Sequence, residues 1–312
     1  MSEGPTANLG RTATRVGADC RRYPPLVSGS APQSIFWIGG GSGAGKTSIA
    51  RALVARLDLR VYHIDAYGYD HVSRMADGPF PRTQEFNTRT YDERWLRLPA
   101  ALADDFLAIS RERLPLIMDD LATLGPGPTV VVEGPQLLPA LLAPILDGPE
   151  HALWLLPTVE FGRRGVTQRG EVVPSSEEAA ASINRYERDV LVTELLRQQA
   201  ADLGLRTIEV DGSRTLNETV QVVMEALREL PNGLRCAEDG RQREQIRRRE
   251  NEVVAHQLAA YWRDMGRDVM PDAPEGPFSC ECLKLGCDRE AMLSVTDYTR
   301  RAAVGAVVQH DP

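Results

Sequence analysis

Long apolar runs are missing from this 312-residue chain. None approaches the ~18 residues that a membrane-crossing helix needs. The opening stretch, MSEGPTANLGRTATRV, lacks the apolar segment of an export signal. An excess of positive charge is missing too. The formal net charge of −8 argues against broad electrostatic attraction to nucleic acid or anionic lipid. There is no even set of spaced cysteines: five are present, and three of them fall within eight residues. That pattern excludes a disulfide framework and suits a reducing, cytoplasmic setting, where crowded cysteines point to metal ligation. What remains is 42% hydrophobic and 26% charged residues, the balance of a globular protein with room for one large domain or two modest ones.

Residues 1–33 are small and polar without apolar periodicity, and read as a disordered tail. Residues 34–232 read differently. Ile35–Ile38, Leu59–Ile64, Thr129–Val132, Ala152–Leu156 and Arg206–Val210 are short apolar strands. Helical patterns over Thr47–Leu57, Trp95–Ser110, Gln136–Leu146, Ser176–Leu203 and Thr215–Leu230 alternate with them. Alternating strands and helices predict an α/β fold, a doubly wound five-stranded parallel sheet with helices on both faces. Pro231-Asn232-Gly233 ends this region. Residues 233–270 then read as a charged linker helix, from Asp239 to Met265, and residues 271–312 as a small Cys-rich module. The run Arg241 to Arg249, interleaved with Glu244, reads as a solvated helix face, and no nucleic-acid partner is expected.

The segment Gly40-Gly41-Ser42-Gly43-Ala44-Gly45-Lys46-Thr47-Ser48 contains G-x-x-x-x-G-K-T in full, between a strand and a helix. Glycines let the backbone N–H groups of such a loop turn toward phosphate, and the following helix points its N-terminus at the same anion. Lys46 is expected at the β- and γ-phosphates of ATP or GTP, and the Thr47 hydroxyl on Mg²⁺. Glu133, ending the strand Val130-Val131-Val132, is the expected acidic partner of that Mg²⁺; its plainer reading is a solvated acid beyond the strand. Asp65 stands at the carboxyl edge of the sheet, where open α/β sheets bind ligands. It is a candidate base for a substrate hydroxyl, or else a turn residue. His63 is read as pointing to the opposite face by strand alternation, as a packing residue or one that supports the site from behind. Residues 67–95 carry many polar and aromatic groups with little periodicity, and read as a long acceptor-binding loop.

Gly-Gly-Ser-Gly-Ala-Gly-Lys-Thr, then Ile64-Asp65-Ala66-Tyr67, then Val132-Glu133-Gly134 resembles the P-loop small-molecule kinases, among them uridine kinase and chloramphenicol phosphotransferase. The likeness spans about Ser34 to Leu230. Uridine-kinase-like proteins often carry paired aspartates where this chain has Asp65-Ala66, which speaks against a nucleoside acceptor. Trp154-Leu155-Leu156-Pro157-Thr158 and Val210-Asp211-Gly212-Ser213-Arg214 also resemble uncharacterised actinobacterial ATP-binding proteins with a C-terminal Cys-rich element. The resemblance implies a mobile lid at residues 163–170, with Arg163 and Arg169 closing over the phosphates, hinged at Gly162, Gly165 and Gly170. An ordinary basic loop is the alternative. Arg185 and Arg188 lie on the next helix and could line the same cleft.

Cys280-Glu281-Cys282 and Cys287 are spaced to share a Zn²⁺, with His310 as the fourth candidate ligand; three buried thiols without metal are the alternative. The expectation from sequence is therefore an ATP-dependent phosphotransferase acting on a small-molecule hydroxyl. The competing expectation is a nucleotide-responsive regulator whose C-terminal helix and Cys-rich module contact a protein partner.

Overall fold

Five strands form one parallel sheet: β1 (Ile35–Gly40), β2 (Arg60–His63), β3 (Val130–Glu133), β4 (Ala152–Pro157) and β5 (Arg206–Val210). Their spatial order is β2-β3-β1-β4-β5, with every neighbouring pair parallel. The computed structural model describes residues 34–169, 173, 175–231, 233–266, 272–305 and 307–308, with side chains for all of these except 166–169. The tail expected over residues 1–33 lies outside the described residues.

The strands are apolar on both faces because both faces are covered. Side chains alternate with the two-residue period of a strand. Phe36, Ile38, Val131, Leu153 and Leu155 point to one face, against α1 (Lys46–Leu57) and α9 (Leu216–Arg228). Ile35, Trp37, Val130, Val132 and Trp154 point to the other, against α5 (Pro99–Thr123) and α8 (Glu178–Asp202). The result is the doubly wound α/β sheet that the alternating pattern predicts, and it delivers the carboxyl ends of β1, β2 and β3 to one edge.

Several elements differ from expectation for local reasons. The helix expected at Trp95–Ser110 begins at Pro99 and continues through Pro115 to Thr123. The helix expected at Gln136–Leu146 is only α6 (Pro139–Leu142) followed by a 3-10 turn, Ala143–Ile145. Pro144 has no N–H to continue the α-helical ladder there. The long loop expected at residues 67–95 is three short helices, α2 (Gly68–Met75), α3 (Pro81–Thr88) and α4 (Tyr91–Trp95). Thr90 and Glu93 cap α4 reciprocally, each side chain accepting from the other's backbone N–H.

After the sheet, α10 (Gly240–Met265) runs beside β2 and meets a hairpin of β6 (Glu275–Ser279) and β7 (Glu290–Ser294), with α11 (Val295–Ala302) behind it. Phe278, Leu293, Tyr298 and Val307 make a small core there, with Phe278 and Tyr298 stacked at 4.4 Å. The edge of β2 is not left open: the Val61 N–H donates to Glu250 Oε1 of α10 at 2.8 Å. The arginine-rich run on this helix is a solvated face only in part: Arg241, Arg248 and Arg249 are exposed, but two of its arginines are not. Arg243 and Arg247, one helical turn apart, are 1% and 2% exposed. Arg247 donates to the carbonyls of Val54 and Leu59 at the C-terminal end of α1. Arg243 pairs with Asp58, the residue that ends α1, at 3.1 Å. Cations suit this end of a helix, where carbonyls lack intrahelical partners. Removing either buried arginine leaves charged and polar groups unpaired, a loss of about 3–5 kcal/mol.

Candidate active site

The loop between β1 and α1 turns tightly because glycines occupy its left-handed positions. Gly43 has φ 77° and Gly45, which caps α1, has φ 78°. The Gly41 N–H donates to Leu155 O at 3.0 Å, tying the loop's start to β4. Lys46 is 8% exposed and its Nζ donates to Gly41 O at 2.8 Å, so the amine already lies within the loop's curve.

Opposite the loop, β3 brings Glu133 to the sheet edge. It is 2% exposed, and its Oε1 accepts from Thr47 Oγ1 at 3.0 Å. His63 Nδ1 lies 2.8 Å from the same oxygen. The sheet register explains this, since His63 and Glu133 are paired residues of β2 and β3. His63 therefore does not point to the opposite face; it supports the site through Glu133. Burial alone would raise the Glu133 carboxyl. The hydrogen bond and charge of His63, the charge of Lys46 and the Thr47 hydroxyl together hold it below the usual carboxylate range.

Asp65 is the second residue of the 3-10 turn Ile64–Tyr67 that directly follows β2, and its side chain opens into the cleft. The surrounding protein strips much of its water, which is the main reason its carboxyl lies above the ordinary value; the Glu133 charge adds to this. The charges of Arg113, Lys46 and His63 pull the other way. Behind Asp65, Arg113 of α5 is 8% exposed. It donates to Ile64 O at 2.6 Å and, through Nε, to His71 Nδ1 at 2.7 Å. That bond makes Nδ1 the acceptor and leaves the Nε2–H to meet Asp120 Oδ2 at 2.8 Å. Burial pushes His71 below its ordinary value, and the Asp120 hydrogen bond opposes it. Asp70, His71 and Asp120 crowd together here, but Arg74 bridges both carboxylates, so a guanidinium meets their charge.

The loop, Asp65 and Glu133 border one cavity of about 800 Å³. One end is the loop, with Lys46, Thr47, Asp65 and Glu133. The other is apolar and aromatic, lined by Phe86, Trp95, Leu102, Phe106, Ile109 and Val192. Its wall comes from α3, α4, α5 and α8. The Asn184 side chain of α8 donates to Trp95 O at 3.0 Å, which joins α8 to α4. Phe86 meets Trp95 edge-on at 6.1 Å. Arg185 and Arg188 of α8 also line the cavity. Arg188 lies 5.5 Å from the centre of the Trp95 ring and 5.3 Å from that of Phe106, and pairs with Asp189.

The segment expected as a lid is largely helix α7 (Val159–Arg169). Arg163 stands exposed on it and does not line the cavity, while the side chain of Arg169 lies outside the described residues. Of the glycines expected as hinges, Gly162 and Gly165 serve close packing, and Gly170 lies outside the described residues. A Cβ on Gly165 would approach Gly43 O to 3.2 Å, and one on Gly43 would approach Gly162 O to 3.0 Å. Helix α7 thus lies against the loop through glycines on both sides, and Gly165 borders the cavity. The cavity's arginines come instead from α8. Cys280, Cys282 and Cys287 are far along the chain from this cavity but close to one another, within 4.8 Å, and His310 lies outside the described residues.

No family model and no curated protein matches the chain. Among solved structures, it is similar to TT1252 from Thermus thermophilus, at 19% identity over 63% of this chain and 98% of that one, with a TM-score of 0.39. A shikimate kinase from Acinetobacter baumannii in complex with shikimate is similar at 14% identity over 65% of this chain and 97% of that one, with a TM-score of 0.38. A deoxyadenosine kinase from M. mycoides with bound dATP is similar at 12% identity over 62% of this chain and 100% of that one, with a TM-score of 0.36.

Proposed function

We propose that the protein is a phosphotransferase that moves the γ-phosphoryl group of ATP, or of GTP, to a hydroxyl of a small molecule seated in the aromatic end of the cavity. One observation carries this reading: the phosphate loop, a carboxylate open to solvent and an apolar lobe border a single cavity. A hydrolase acting on water has no use for the lobe.

The loop N–H groups and Lys46 would hold the phosphates, with phosphate oxygens competing against Gly41 O for the Lys46 amine. Thr47 and Glu133 fit a Mg²⁺ site by their chemistry and spacing. Two hard oxygen donors lie 3.0 Å apart, and adjacent ligands of an octahedral Mg²⁺ lie about 2.9 Å apart. The ion would neutralise charge on the phosphates. His63 would keep the Glu133 carboxylate ionised and oriented.

Asp65 would accept the proton of the acceptor hydroxyl as its oxygen bonds to the γ-phosphorus. The bond from that phosphorus to the β-bridging oxygen breaks, the nucleoside diphosphate leaves, and the proton stays on Asp65. A raised carboxyl suits this task, because it binds the proton more readily than an ordinary aspartate. Arg185 and Arg188, rather than Arg163, are the cations placed to meet charge near the acceptor.

The lobe narrows the acceptor to a compact molecule with an apolar or aromatic body and a free hydroxyl. The experiment is a screen of such alcohols and phenols for stimulated ADP release, repeated with Asp65→Asn. Stimulation by an acceptor, abolished in that variant, supports the reading. ADP release that ignores every acceptor and survives in Asp65→Asn sinks it.

A further inference from the structure

The ten residues Cys280–Arg289 connect β6 to β7 and touch neither end of the cavity. The Cys280 N–H donates to Arg289 O at 2.9 Å, which extends the hairpin ladder by one step before the chain loops out. The loop then does the reverse of what hydrophobic packing asks. Leu283 and Leu285 stand out at 57% and 47% exposure, whereas Cys280 and Cys287 are buried at 2% and 7%. Loops that bury thiols and expose leucines are organised around the sulfurs.

The sulfurs of Cys280, Cys282 and Cys287 all lie within 4.8 Å of one another, and none of the three is in a disulfide. Three thiols cannot be satisfied by one disulfide, which would leave one over. A tetrahedral zinc with Zn–S bonds of about 2.3 Å sets its sulfurs about 3.8 Å apart, so the cluster needs only a small contraction.

The backbone behind the sulfurs is held in advance. The single guanidinium of Arg243 donates to the carbonyls of all three cysteines: Cys280 at 3.0 Å, Cys282 at 2.6 Å and Cys287 at 2.7 Å. Its Nη1 also lies 3.9 Å from Cys282 Sγ. Glu281, between the first two cysteines, accepts from Asn251 at 2.9 Å and from Tyr298 at 3.1 Å. The Gly286 N–H donates to Asp58 Oδ2 at 2.7 Å. Outer partners of this kind orient metal ligands and tune their charge.

We propose that Cys280, Cys282 and Cys287 bind one Zn²⁺ through their sulfurs, with Arg243 holding the backbone of all three ligands in place. Binding releases three thiol protons to solvent. Three thiolates around a divalent ion carry one net negative charge, and the guanidinium that they face is shared with Asp58. Among the described residues no further His, Cys, Asp or Glu joins the cluster, and His310, expected as the fourth ligand, lies outside them. Zinc suits the donor set because it is borderline-soft and takes thiolate ligands in four-coordinate sites. The site would clip the hairpin to α10 and, through Asp58, to the far end of the helix that begins at the phosphate loop.

The test uses the full chain with Cys20→Ser and Cys236→Ser, so that the three clustered cysteines are the only ones left. Reduced protein is loaded with Zn²⁺ and separately with Co²⁺. The metal content, the cobalt absorption spectrum and the alkylation of each cysteine are then measured. The expected result is about one metal per chain, a thiolate-to-cobalt charge-transfer band with the intense visible bands of tetrahedral cobalt, and zinc protection of all three cysteines. Arg243→Lys, which keeps the charge but loses the fork, should weaken zinc binding about 10–100-fold. Absence of the charge-transfer band, or equal alkylation with and without zinc, overturns the proposal without any variant of the three cysteines having to fold. Neither readout depends on phosphotransfer, so this proposal and the proposed activity fail separately.

Discussion

The two ends of the cavity are built by opposite means. The phosphate end comes from nine consecutive residues, Gly40 to Ser48, plus single side chains at the ends of β2 and β3. On the proposed reading its main-chain groups hold phosphate, a chemistry general to any nucleoside triphosphate. The proposed acceptor end comes from side chains of four helices, between Phe86 and Val192. On the same reading its chemistry is particular, because ring shapes and the Arg188–Asp189 pair would decide what fits. The contrast teaches that one contiguous loop and a wall of side chains distant in sequence can meet in one cavity. Substitutions at the two ends should consequently fail in different kinetic parameters.

The sharpest break is at the junction. Asp65→Asn should lower kcat by about 10²–10⁴-fold while leaving nucleotide affinity near wild type, as titration calorimetry would read. At the phosphate end, Lys46→Ala should cut kcat/KM for the nucleotide by about 10²–10³-fold. Acceptor binding, followed by ligand-observed NMR, should survive it. At the acceptor end, Trp95→Ala should raise the acceptor KM by about 10–200-fold and leave the nucleotide KM alone. If Trp95→Ala and Lys46→Ala instead disturb the same parameter, the division into two ends is wrong.

A subtler effect concerns pH. Asp65 must be ionised to take a proton, and burial with the Glu133 charge raises its carboxyl. The acid limb of the kcat/KM profile should therefore lie above the ordinary aspartate range, with activity lost as pH falls through it. Arg113 is among the charges that pull Asp65 down. Arg113→Gln, if circular dichroism shows it folded, should move that limb to still higher pH. An unmoved limb would mean that another group sets it. The smallest effect is expected on α7. Arg163→Ala should change turnover by less than about twofold, the size of an ordinary surface substitution.

How much of this was legible beforehand follows the same division. The phosphate loop is a contiguous motif, and β1, β3, β4 and β5 are apolar runs bounded by turns, so both are visible in one dimension. The acceptor wall is not, because Phe86, Trp95, Phe106 and Arg188 meet only once α3, α4, α5 and α8 are packed. Helices of eight, eight and five residues are also too short to show a clear 3.6-residue period. One signal was available: Thr90-Tyr91-Asp92-Glu93 is a capping-box pattern and marks the start of α4. His63 was not legible, because its place beside Glu133 follows from the pairing of β2 with β3. Arg243 and Arg247 look like a solvated charge run until one notices that they continue through Asn251, Val254 and Leu258 as one helical stripe. Strand β6 escaped notice because Gly276 and Pro277 break the usual strand composition.

The central claim is that one cavity joins a nucleotide to an acceptor hydroxyl. Its most direct measurement is transfer of the γ-phosphate itself, following labelled ATP with Mg²⁺ and an aromatic or apolar alcohol under single-turnover conditions. The account predicts label on the acceptor oxygen in step with ADP formation, lost in Asp65→Asn and reduced in Trp95→Ala. Label appearing only as inorganic phosphate, at a rate that no acceptor and neither substitution changes, would contradict it.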